Sequence, residues 1–171
     1  MIPEFVDGLP THPLVVHFTV VFLVLAVVGS ILTAVWPAVR RRFGWLVVGG
    51  AGVATLLVPV ATDSGESLET RLPENPLIER HQELGDLMVW WALPLFVAVL
   101  GLMLAYRKAT RPAEDGAQAR PAGWSPLVIV AAVLTVGLAV GTGIHVYRVG
   151  DAGARAVWEG TENLPAQGEG D

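Results

Sequence analysis

Four histidines, His12, His17, His81 and His145, are the residues of this 171-residue chain best suited to chemistry. A neutral imidazole gives one lone pair to a transition metal or haem iron, while its other nitrogen donates a hydrogen bond that fixes the ring. Cysteine is absent, which excludes disulfides, thiolate-held iron–sulfur clusters and covalent CxxCH haem attachment. His12 and His17 are five residues apart, about 140° around an α-helix, so at most one of them faces a shared interior. His17 lies ~7.5 Å deeper by helical rise. His145 is matched in depth, one turn inside the end marked by Arg148 and Gly150. His17 with His145 is therefore the expected axial pair for a b-type haem, with Arg148 placed to hold a propionate. His12 and His81 are the expected shallow pair.

Two further patterns each leave two readings open. Gly137, Gly141 and His145 recur every fourth residue. That is either a small-residue packing stripe or a slot for a flat ligand beneath its histidine. In ATDSGESLETRL, Asp63, Glu66 and Glu69 are spaced by three. Glu66 and Glu69 with His12 and His81 offer donors to a divalent or transition metal; the alternative is a solvated acidic segment. The ExxH pattern of di-iron bundles, HExxH and a nucleophile elbow are all missing, and Ser64 in DSGE is no elbow. No enzyme class is indicated.

The elements that must position these residues are membrane helices. Hydrophobic residues make up 53% of the chain and charged residues 16%, against about 25% charged in a soluble domain. Apolar stretches run over 12–36, 44–62, 84–107 and 126–148, each near the ~20 residues that cross a bilayer. The first is apolar on every face, so lipid surrounds it. The fold expected is an all-α, four-transmembrane-helix bundle. Thr11 is expected to cap the first helix and Pro37 to end it. Asn75-Pro76 and Ser125-Pro126 are expected to open the third and fourth, and Gly150 to stop the fourth. Pro59 and Pro94 fall inside helices two and three. The domains expected are a short N-terminal segment 1–11, the membrane domain 12–150, and a flexible acidic tail 151–171 with at most a short helix near Ala154–Trp158.

Charge sets the orientation. Arg40, Arg41, Arg42, Arg107, Lys108, Arg111 and Arg120 lie in the loops after helices one and three, where the only acids are Glu114 and Asp115. The positive-inside rule puts those loops in the cytoplasm, and both termini and the middle loop outside. All four histidines then share the outward side. The net charge of −5 argues against a nucleic-acid partner. The cytoplasmic halves of the spans hold only hydroxyls such as Ser30, Thr33, Thr55 and Thr135. The chain offers a one-sided site and no relay across the bilayer.

The opening HPxxVHF (His12, Pro13, Val16, His17, Phe18) resembles the signature of the bacterial membrane family catalogued as domain of unknown function 2231. So do Gly65, Glu66 and Glu69 followed by His81 in ERHQELG, and the closing Gly143, Val146, Tyr147 and Arg148. The resemblance covers about residues 10–150. It implies a four-helix domain of the bacterial cytoplasmic membrane, joined in some members to Rieske-type or cytochrome-type redox domains. With no cysteine and no appended domain here, an electron partner must be a separate molecule, a quinone or a redox protein. Three functions remain in view: a haem or metal protein in membrane electron transfer, a divalent-metal protein, and a non-catalytic membrane subunit.

Overall fold

The computed structural model describes residues 5–110 and 125–163. The loop expected at 109–123 and the end of the tail lie largely outside those residues. A two-strand hairpin comes first, β1 (Phe5–Val6) and β2 (Leu9–Pro10), paired antiparallel. Asp7 and Gly8 turn it with φ of 49° and 80°, the left-handed pair that a two-residue hairpin requires. Among the described residues five α-helices follow, α1 (Thr11–Val35), α2 (Pro37–Glu69), α3 (Pro76–Asp86), α4 (Val89–Ala109) and α5 (Pro126–Trp158), and then one 3-10 turn at Thr161–Asn163. With α3 and α4 counted as one span, four spans are long and apolar enough to cross a membrane.

The side-chain distribution is that of a bundle in lipid. Large apolar residues such as Phe18, Leu46, Leu56 and Val133 are exposed. The buried seams carry small ones, including Ala26, Ala51, Ala54, Ala92, Ala132 and Ala139. Small residues let membrane helices approach closely, and packing at short range drives their association. Helix α1 packs on α2 and α5, and α4 packs on the same two, which closes a four-span ring. Helix α3 lies across α5 at one end of it.

Several boundaries differ from those read in the sequence. Pro10, not Thr11, is the N-cap of α1, and it makes no side-chain capping bond. Pro37 ends α1 and also begins α2. The two helices meet at Trp36, whose backbone is extended at φ −117° and ψ 104°, as a following proline demands. The arginines expected in a loop are therefore in the first turns of α2. Arg40 is buried and folds back to donate to the Thr33 carbonyl (2.9 Å) and the Ala34 carbonyl, closing the C-terminus of α1. Its guanidinium lies 5.8 Å from the Tyr106 ring centre.

Asn75 and Ser125 cap as expected, each accepting from a backbone N–H of the first turn. Pro59 and Pro94 lie inside α2 and α4. The third span, however, is interrupted at Leu87 and Met88. There the Met88 N–H bonds to Gly85 (2.9 Å), not to Leu84, and the turn tightens. Gly150 does not stop the last helix, which runs on to Trp158. Ala152 is buried in that extension, and Asp151 pairs with Arg155 at 2.9 Å. The terminating glycine is Gly160, at φ 88° just beyond the Glu159 cap, the left-handed position at which helices commonly end.

Candidate functional site

Helix α1 starts where α2 ends, and α3 lies along the final turns of α5. This arrangement brings His12 and His81 together. Their ring centres are 6.4 Å apart and their planes stand at 76°. The Nδ1–H of His12 donates to the Ala61 carbonyl (3.1 Å) and to Ser64 Oγ (3.1 Å). The Nδ1–H of His81 donates to the Val149 carbonyl (3.0 Å). A carbonyl oxygen only accepts, so both rings carry a proton on Nδ1, and in the neutral form the lone pair is on Nε2.

Each ring rests on a glycine. A methyl group at Gly65 would stand 3.0 Å from Cε1 of His12, and one at Gly153 would stand 2.9 Å from Cε1 of His81. In both places the carbonyl that holds the ring belongs to the residue four before the glycine. Both glycines close an Asp-x-Gly triplet, Asp63-Ser64-Gly65 and Asp151-Ala152-Gly153. The α1–α2 hairpin and the α3–α4–α5 hairpin thus build matching seats for one histidine each. The sequence contains both triplets, but they are too short to signal a repeat until the fold places a histidine on each.

The two rings line a cavity of about 500 Å³ between the hairpins. Glu66, Glu69, Gln82 and Asp86 line it too, and Leu23, Val58, Met88 and Val146 make its deep apolar part. From His12 to Leu23 is ~16 Å of helical rise. All four residues expected as metal donors, His12, His81, Glu66 and Glu69, share this cavity. Among the described residues, no three side chains of His, Cys, Asp or Glu converge closely enough to hold an ion.

The pair expected from depth, His17 and His145, is not brought together. His17 is exposed on the outer face of α1, its Nδ1–H donating to the Pro13 carbonyl of its own helix. His145 is 4% exposed, donates from Nε2 to the Leu84 carbonyl (2.9 Å) and stacks on Trp91, ring centres 5.7 Å apart. That carbonyl is the one released by the interrupted third span, so His145 satisfies a broken turn. Trp91 also packs directly over Gly141. The flat group in the slot beside His145 is this indole, while Gly137 faces open space. Arg148 is exposed.

Phase, not depth, carried the signal for the inward-facing histidine of α1. Thr19, Leu23, Ala26, Ser30 and Thr33 are the buried stripe of α1, at alternating steps of four and three. Continued backwards, the stripe passes through Val16 to His12 and misses His17.

Residues 8–162 match a family described as a predicted membrane protein, domain of unknown function 2231. No curated protein and no solved structure matches the chain.

Proposed function

The chain belongs to this family of predicted membrane proteins, and from that premise we propose that it holds a haem between His12 and His81 and serves membrane electron transfer. The observation that carries this reading is the pair of imidazoles, each seated by its own hairpin, with ring centres 6.4 Å apart on the wall of one cavity. Among the described residues no third His, Cys, Asp or Glu side chain converges on them. A haem iron takes most of its ligands from its own macrocycle and would ask this chain only for those two imidazoles.

Haem bound here supplies a one-electron couple held by two uncharged ligands. The protein's part would be to offer Nε2 of each ring, with the Ala61 and Val149 carbonyls fixing the tautomers. Leu23, Val58, Met88 and Val146 would keep water out of the deep part of the cavity. Orientation by the positive-inside rule puts the pair on the extracytoplasmic side of the bacterial cytoplasmic membrane. A haem held there would exchange electrons with a quinone in the outer leaflet or with a separate redox protein.

The test is the visible spectrum of detergent-purified protein expressed with supplied haem, oxidised and dithionite-reduced. A six-coordinate low-spin spectrum is expected. His12→Ala and His81→Ala should each abolish it or convert it to a five-coordinate form, and His17→Ala should leave it unchanged. A colourless wild-type protein overturns the reading.

A further inference from the structure

We propose that Ser64 is a positioning residue that makes the two imidazoles unequal, with His12 the firmly held, electron-rich donor and His81 the weaker one. The proposal rests on the reading of the pair as ligands. The two seats correspond in sequence through their Asp-x-Gly triplets and in the carbonyl and glycine that hold each ring, and they differ at the middle position, which is Ser64 in one and Ala152 in the other. In the first seat the Ser64 hydroxyl donates to the Ala61 carbonyl at 2.8 Å. Its proton is thereby committed, and its oxygen accepts from Nδ1 of His12 at 3.1 Å. Nδ1 donates to the same Ala61 carbonyl, so His12, Ser64 and Ala61 close a triangle of hydrogen bonds. In the second seat the middle residue is the buried Ala152, which has no hydroxyl, and the Val149 carbonyl holds His81.

Acceptors on the distal N–H raise the electron density and basicity of the ligating nitrogen and fix the ring orientation. Two acceptors on His12 make it the stronger donor to an oxidised metal. His81 also stands on the short helix α3, bounded by the interrupted turn at Leu87 and Met88.

The experiment exchanges the middle residues and measures the midpoint potential of the bound cofactor, together with the ¹⁵N shifts of the histidines in cofactor-free protein. Ser64→Ala should raise the potential and move the His12 nitrogen shifts toward those of His81, which is held by one carbonyl alone. Ser64→Thr, which keeps the hydroxyl, should restore both. Ala152→Ser should lower the potential and move only the His81 shifts. A wild-type potential in Ser64→Ala, or His12 shifts that do not change, overturns the proposal. If Ala152→Ser does not fold around its larger side chain, Ser64→Ala and Ser64→Thr decide alone. If the wild type binds no cofactor, the haem reading falls, while the nitrogen shifts still decide whether Ser64 holds His12.

Discussion

A glycine beneath each imidazole fixes where the ring can lie, and this can be checked one residue at a time. A methyl group at Gly65 or Gly153 would crowd the ring edge at 3.0 and 2.9 Å, tighter than normal carbon contacts. Gly65→Ala and Gly153→Ala should each displace their histidine and weaken retention of the proposed haem several-fold, with circular dichroism unchanged. Equal cofactor content in these variants and wild type would contradict the seat geometry. At this scale the sequence was half legible. His12 lies in phase with the buried stripe of α1, so its inward direction was readable. The seats were not, because each joins residues about fifty or seventy positions apart, and Asp-x-Gly is ordinary until a histidine rests on it. Choosing His17 by depth failed for a physical reason: a ring on the lipid side can satisfy its N–H on the carbonyl four residues back in its own helix.

Helix ends separate into those written locally and those decided by contacts. Asn75 and Ser125, each followed by proline, carry their caps in their own side chains, and both were legible. The break at Leu87 and Met88 was not, since both are good helix formers. Its released Leu84 carbonyl is satisfied by His145 from another helix, a long-range contact that no local pattern announces. Removing that donor leaves a buried carbonyl unsatisfied, at a cost of about 1–3 kcal/mol. His145→Ala should accordingly lower the melting temperature, measured by scanning fluorimetry, without removing the haem spectrum. Gly150 makes the opposite case. It stands inside a continuing helix with open space where its methyl would go. Gly150→Ala should therefore stabilise the protein by about 0.5–1 kcal/mol. A destabilised variant would show that the helix needs a glycine there.

Across the whole molecule, charge and aromatic residues mark two ends. Trp36 and Trp45 are exposed near the arginine-bearing start of α2, and Trp90 and Trp158 near the acidic histidine end. Tryptophans gather at both membrane–water interfaces, so the pairs bracket the hydrocarbon. The chain lacks cysteine, which makes single introduced thiols clean reporters of orientation. In intact cells a membrane-impermeant maleimide should label Thr161→Cys, and should label Lys108→Cys only after permeabilisation. The reverse pattern would put the histidine end in the cytoplasm. The four spans were legible from apolar length alone; the correspondence of the two histidine seats was not, because beyond Asp-x-Gly the seats share hardly any sequence. One hairpin with one histidine, one carbonyl and one glycine is half of the arrangement, and two identical copies facing each other across a dyad would complete it. Carrying both halves on one chain lets them differ, and a hydroxyl in one seat against a methyl group in the other is an asymmetry that a symmetric dimer of a single hairpin could not hold.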